Sequence, residues 1–378
     1  MLRSTFRLAG KKCSQTFDLS PLRHAASTWT STTAIKFKEY GDPAKVLYQT
    51  TEPLPATLDP GNVALRFLAS PVNPNDINMV QGIYIVKPPL PAVCGNEGVA
   101  EVIGVGSAVK NVKIGDWVIP SINAFGTWQT HAVAPATDIL KIEADLPLIQ
   151  AATVAINPCS AFRMLYDYTS LEEGDVIVQN GANSAVGQAV IQIAAHNKWR
   201  TINIIRDRPN KAETVKQLAD LGATHVITDA DFKNRDVIKQ LPLAHLGLNC
   251  VGGKAVSDMT KLLQDRATLV TYGGMSMQPM IIPTGAMIFK DLIFCGFWLG
   301  KWNMENSTEE RIEMLNNVVR LMKEKVLRPP TIEPVLLKDF QTAVKRAQEG
   351  FTGAKQVLAL DEESLAKIQE EVRAYAQA

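Results

Sequence analysis

The stretch Val176-Ile-Val-Gln-Asn-Gly-Ala-Asn-Ser-Ala-Val-Gly-Gln-Ala-Val-Ile-Gln-Ile-Ala194 constrains the fold more than any other part of the chain. A short β-branched run passes through small residues into an amphipathic repeat, the pattern of a strand, a tight turn and a helix. Gly181 permits the turn, Ala185 keeps the backbone uncrowded, and Gly187 lets the helix lie close to its own strand. The amino end of such a helix carries unpaired N–H groups, with Asn183 and Ser184 as polar contacts or a cap, and so suits a pyrophosphate. A second strand, Thr201 to Ile205, runs into Arg206-Asp207-Arg208. An NAD-binding unit places one acid here for the ribose hydroxyls. Two arginines flanking the acid instead match the planar, doubly charged 2′-phosphate, so the expected cofactor is NADPH.

Around this unit the rhythm is strand, helix, strand. Strands are expected at 176–180, 201–205, 224–228, 246–251, 267–272 and 292–297, with helical patterns at Ala212 to Leu221 and Lys254 to Gln264. That alternation predicts a doubly wound parallel sheet over 157–300. From Ala34 to Ala155 the pattern differs: short β-like runs such as 62–68, 98–103 and 116–119 alternate with Pro and Gly, which predicts a β-rich domain spanning 26–156. Gly115-Asp116 and Gly174-Asp175 read as tight turns. Ser307-Thr-Glu-Glu310 has capping-box spacing, and Ile312, Leu315, Val319, Met322 and Val326 recur at helical intervals. A helix over 307–326 is expected, stopped by Pro329-Pro330, with Arg320, Lys323 and Lys325 on a solvated face or a docking surface for an acidic partner. Residues 362–378 read as a terminal helix, and 301–378 as a return to the first domain.

Composition excludes several classes. A chain of 378 residues with net charge +1 lacks the basic excess of a nucleic-acid binder. Its apolar runs are short and interrupted, so no membrane span is expected. The five cysteines (13, 94, 159, 250, 295) and five histidines (24, 131, 196, 225, 245) are scattered, which predicts neither a disulfide framework nor a metal site. Residues 1–25 carry Arg3, Arg7, Lys11, Lys12 and Arg23 against Asp18 alone, with Ser and Thr interspersed. This is the composition of a mitochondrial transit peptide, and predicts a matrix protein.

The order of a β-rich domain, a dinucleotide domain and a short return resembles the medium-chain dehydrogenase/reductase superfamily. Asn73-Pro-Asn-Asp-Ile-Asn-Met-Val-Gln-Gly82, Gly95-Asn-Glu-Gly98 and Gln179-Asn-Gly-Ala-Asn-Ser-Ala-Val-Gly187 resemble its zinc-free, quinone-oxidoreductase-like branch, and within it the trans-2-enoyl-thioester reductase family. Zinc-dependent members read Gly-His-Glu where this chain has Gly95-Asn96-Glu97. The resemblance implies an α/β fold with a β-rich GroES-like catalytic domain and a Rossmann domain. It further implies NADPH-dependent reduction of enoyl-CoA or acyl-carrier-protein-bound enoyl substrates, the last step of mitochondrial fatty-acid synthesis, in a homodimer. Hydride goes to C3, and Tyr84 gives a proton at C2. Cofactor contacts then fall on Asn157, Gly181, Asn183, Ser184, Ala185, Val186, Gly187, Arg206, Asp207, Arg208, Tyr272, Gly273, Gly274, Met275, Phe297, Trp298, Leu299 and Lys355. The family usually has Gly where Ala185 stands. Two alternatives stay open: a quinone or alkenal reductase of the same fold, and a non-catalytic interaction protein that keeps the dinucleotide domain.

Overall fold

The computed structural model describes residues 29–349 and 353–377. The basic segment 1–25, with its expected import role, lies outside the described residues.

The β-branched runs of the middle segment pair side by side as one six-stranded parallel sheet. Its order is His225–Thr228, Arg200–Ile205, Val176–Asn180, Ala244–Asn249, Leu263–Thr271, Ile293–Gly296. In sequence numbering of those strands this is 3-2-1-4-5-6, the doubly wound order whose direction of growth reverses between the first and fourth strands. Val176–Asn180 is buried along its whole length, as a strand covered by helices on both faces must be. Two assignments differ from the sequence reading. The helix expected at 254–264 ends at Met259, because Leu263 already pairs with Ala244 and begins the strand Leu263–Thr271. The helix after Ser307 spans Thr308–Lys323 and stops before the prolines. Lys325 adopts φ +60°, its N–H donates to the Met322 carbonyl, and the Val326 N–H reaches the Leu321 carbonyl at 2.9 Å. These are the two bonds of a Schellman motif, which satisfies the last carbonyls. The capping box forms as expected, Ser307 N–H to Glu310 Oε2 at 2.8 Å and Glu310 N–H to Ser307 Oγ at 3.2 Å. The buried face of that helix is Met314, Leu315, Val318, Val319, Leu321 and Met322, whereas Ile312 is exposed.

The first domain is built on the long strand Asn62–Pro71, which pairs antiparallel with Val99–Val105 and His131–Pro135. The chain returns to it from the far side of the Rossmann sheet. Lys355–Ala359 pairs antiparallel with the Ala69–Pro71 end of that strand, and Ile332–Leu336 pairs parallel with Lys355–Ala359. The terminal helix Glu362–Gln377 then caps an earlier one: the Glu371 carboxylate accepts from Leu148 N–H (2.7 Å) and Ile149 N–H (2.9 Å), the first residues of helix Leu148–Thr153.

The return strand is therefore part of the core on which the site rests. Leu358 is 0% exposed. Leu358→Ala is expected to cost about 2–5 kcal/mol, read as a fall in denaturation midpoint with cofactor-site residues unchanged; a neutral variant would show that the return strand is peripheral.

Candidate functional site

At the dinucleotide end, sterics select the small residues. Gly181 has φ +60°, and a Cβ there would stand 2.4 Å from Cys250 Sγ. A Cβ on Gly187 would stand 2.4 Å from the Ala182 carbonyl oxygen. Glycine alone lets helix Ala185–His196 begin this close to its strand. Ser184 is the N-cap, its hydroxyl accepting from Gly187 N–H at 3.1 Å. Asn180 ends the strand and bridges to its neighbour: its amide donates to Asn249 Oδ1 at 2.7 Å, and its oxygen accepts from Cys250 N–H at 2.8 Å. These two strands flank the reversal point of the sheet, where open parallel sheets bind ligands.

The loop after Leu263–Thr271 faces the same end. Tyr272 carries a buried hydroxyl beside Ser184 and the Cys250 thiol, and burial first, then Cys250, holds its pKa well above the ordinary value. A Cβ on Gly274 would meet nothing within 4 Å, so the backbone there is open to a close-lying ligand. The cradle, the helix amino end and the open backbone at Gly274 fit a dinucleotide. Asp207 N–H donates to Asp229 Oδ1 at 3.0 Å, Arg206 is exposed, and Arg208 is 8% exposed. The two arginines are thus unequal. Burial and then the adjacent Arg206 lower the pKa of Arg208.

Tyr84 reaches the site from the first domain. Asn73 precedes helix Pro74–Val80, with Pro74 at the first helical position and Asp76 Oδ2 accepting from Asn73 N–H at 2.8 Å. After this helix the N–H groups of Ile83 and Tyr84 both return to the Asn78 carbonyl, at 3.0 and 3.1 Å, which folds the loop back. Trp298 comes from the opposite side, directly after the last strand of the parallel sheet. Its indole Nε1 donates to the Tyr84 hydroxyl at 2.8 Å, with the rings perpendicular and 6.2 Å apart. Gly300 makes room for the indole, since a Cβ there would stand 2.7 Å from it. Burial pushes the Tyr84 pKa up, so the phenol keeps its proton.

Below these residues lies a polar junction. Asn73 Oδ1 accepts from Lys355 Nζ at 2.6 Å and from Asn157 Nδ2 at 3.2 Å, while Asn73 Nδ2 donates to Glu97 Oε2 at 2.7 Å. Glu97 Oε1 accepts from Ile156 N–H at 2.8 Å. Asp76 Oδ1 takes both the backbone and side-chain N–H of Asn96, at 2.9 and 2.7 Å, and burial pushes its carboxyl up to about 6. Asn96 Oδ1 in turn accepts from Ala124 N–H at 2.8 Å. Among the described residues no group of three or more His, Cys, Asp or Glu is placed to hold a metal ion. Sequence reasoning missed Asp76, Asn96 and Glu97 as a network. The one readable signal was Asn73-Pro-x-Asp76, which has the spacing of a helix cap.

Residues 59–144 match the alcohol dehydrogenase GroES-like domain model and 185–317 the zinc-binding dehydrogenase model. The chain is 43% identical to the mitochondrial enoyl-acyl-carrier-protein reductases of Mus musculus and Homo sapiens over 330 residues, 86% of this chain and 88% of theirs. That of Arabidopsis thaliana is also 43% identical, over 83% of this chain and 84% of its own. Among solved structures, an Etr1p/NADP/crotonyl-CoA complex aligns with TM-score 0.81 at 35% identity, covering 87% of this chain and 99% of its own. A putative NADPH:quinone reductase of Bacillus thuringiensis aligns with TM-score 0.79 at 26% identity, over 88% of this chain and 99% of its own.

Gly187→Val is expected to push the helix off its turn. The overpacking costs about 1–3 kcal/mol and should also abolish dinucleotide binding, measured by quenching of tryptophan fluorescence. Retained binding would show that this turn is not the cradle.

Proposed function

Because the chain belongs to the family of mitochondrial enoyl-acyl-carrier-protein reductases, we propose that it reduces trans-2-enoyl thioesters to saturated acyl thioesters with NADPH, through the residues assembled around Tyr84. The observation that carries this reading is the Trp298–Tyr84 hydrogen bond, which holds a neutral phenol at the edge of the dinucleotide site. NADPH, when bound, supplies the hydride that reaches C3 of the substrate. Tyr84 delivers a proton to C2. Its hydroxyl already accepts from Trp298, which leaves its own O–H free of that bond and directed by it. Burial, which raises the Tyr84 pKa, favours this, because the phenol then arrives carrying its proton.

For the cofactor, Gly181 and Gly187 give the turn its approach to the pyrophosphate, Asn183 to Val186 present the helix amino end, and Tyr272 to Met275 line the far side. Arg206 and Arg208 receive the 2′-phosphate, Arg206 from the surface and Arg208 from its buried position. Phe297 to Leu299 wall the nicotinamide end, with Phe297 anchored by its N–H to the Thr271 carbonyl. The protein is mitochondrial, with 1–25 as the import segment, 26–156 and 301–378 as the catalytic domain and 157–300 as the cofactor domain. A homodimer is supported by the outer strand Ile293–Gly296, which ends the parallel sheet beside the exposed Ile288 and Phe289, an apolar edge suited to a second copy. No helix of the described residues is long and apolar enough to cross a membrane.

An NADPH-oxidation assay over enoyl-CoA chain lengths, with acyl-carrier-protein-bound substrate and a quinone alongside, tests the reaction. Turnover of the quinone alone would favour the quinone-reductase alternative, and no turnover of any acceptor a non-catalytic role. Tyr84→Phe is expected to lower kcat by about 10²–10⁴-fold with NADPH affinity preserved; a loss under about threefold would assign the proton to another group. The double variant Arg206→Ala/Arg208→Ala should lose most of the preference for NADPH over NADH, since each charged hydrogen bond contributes about 1.5–3 kcal/mol. Equal discrimination in variant and parent would remove both arginines from 2′-phosphate recognition.

A further inference from the structure

Glu97 is a buried carboxylate that the reaction above does not use, and it occupies the centre of the junction between the two domains. It is 0% exposed. One oxygen takes the Ile156 N–H, at the entrance to helix Asn157–Asp167 of the cofactor side, and the other takes the side-chain amide of Asn73, the residue that precedes the helix leading to Tyr84. The orientation of that amide is dictated by its surroundings. Its oxygen must face Lys355 Nζ and Asn157 Nδ2, both donors, and its nitrogen must face the carboxylate. Reversing it would set donors against donors on one side and acceptor against acceptor on the other. The Asn73 amide thus relays between an ammonium and a carboxylate contributed by distant parts of the chain.

Lys355 also lines a small cleft with Asn157, Ala185 and Gln188, at the first turn of the dinucleotide helix. We propose that Glu97 is a positioning residue, which acts through Asn73 to keep the Lys355 ammonium charged and aimed at the cofactor. This rests on the reading of Lys355 as a cofactor contact. Burial lowers the Lys355 pKa, while Glu97 first and Asp76 second raise it. Glu97 itself is faced by Lys355, Asp76 and the buried Cys159 thiol, and Asp76 by Lys355, Tyr84 and the buried Cys94 thiol. Replacing Glu97 by a neutral isostere leaves Asp76 as the one carboxylate facing the ammonium. Lys355 must then give up its proton at lower pH.

The test is the dissociation constant of NADPH followed from about pH 6 to 10 by fluorescence, on the whole protein. The parent should lose affinity on the alkaline side as Lys355 is neutralised. In Glu97→Gln, which keeps the shape of the side chain and one acceptor oxygen for either the Asn73 amide or the Ile156 N–H, this loss should move to lower pH by about 1–3 units. A Glu97→Gln curve that coincides with the parent's overturns the proposal, even if the variant melts earlier, because a purely structural role would change stability and not the position of the alkaline limb. Lys355→Arg stays charged across the range and should abolish the alkaline loss; persistence of that loss overturns the proposal whether or not Glu97→Gln folds. Lys355→Met separates the premise: unchanged affinity in it removes Lys355 as a contact, whereas weakened affinity with an unmoved Glu97→Gln limb removes the role of Glu97 alone.

Discussion

Two carboxylates, Asp76 and Glu97, are both fully buried, and most of the site depends on how they are satisfied. An isolated charge out of water is costly unless hydrogen bonds and an opposite charge replace the lost solvent. Here Asp76 accepts from three N–H groups, Glu97 from two, and Lys355 faces both. The donors come from three separate stretches of chain, around residues 73, 96 and 156, and the facing ammonium from a fourth, around 355. Each stretch must be in register for the others to be satisfied. The junction therefore locks the helix Pro74–Val80, the start of helix Asn157–Asp167 and the return strand into one arrangement.

That arrangement determines where Tyr84 sits. A tyrosine on a loop with exposed neighbours, Ile83 at 54% and Ile85 at 75%, would ordinarily sample many rotamers. Two backbone bonds to Asn78 and one indole N–H restrict it. The indole is itself restricted, because the chain just before Trp298 is held by pairing with Leu263–Thr271 and because Gly300 leaves space for the ring. The contact thus joins a residue positioned by the β-rich domain to one positioned by the Rossmann sheet. Order on the two sides meets at one phenol oxygen.

The sheet supplies the complementary constraint. In a 3-2-1-4-5-6 order the loops after the first and fourth strands diverge, leaving a crevice at their carboxyl ends. Asn180 and Asn249 tie the two strand ends together at that point and hold the loop from Cys250 onward with backbone bonds. The crevice is then shaped by amide pairs rather than by apolar packing, which suits a ligand rich in phosphate and hydroxyl groups.

Local chemistry was legible in the sequence wherever a residue's role is set within a few positions of itself. The Gly181 to Gly187 turn, the Ser184 cap, the Ser307–Glu310 box and the alternation of strands and helices are of that kind, because period, φ and capping are short-range properties. The end of the helix Thr308–Lys323 escaped the same logic, since its stop came from a left-handed lysine rather than from glycine or proline. So did its buried face, because which side of a helix is covered depends on what packs against it. Arg206 and Arg208 were equivalent as text, yet one is exposed and the other buried, since burial is decided by elements distant in the chain. Lys355 is separated from Asn73 by 282 positions, and Trp298 from Tyr84 by 214. The sequence by itself determined the dinucleotide unit, the order of the domains and the residue types available to the chemistry. Only the tertiary structure decided which of them meet, because hydrogen bonds and burial act through space and carry no signature in spacing along the chain.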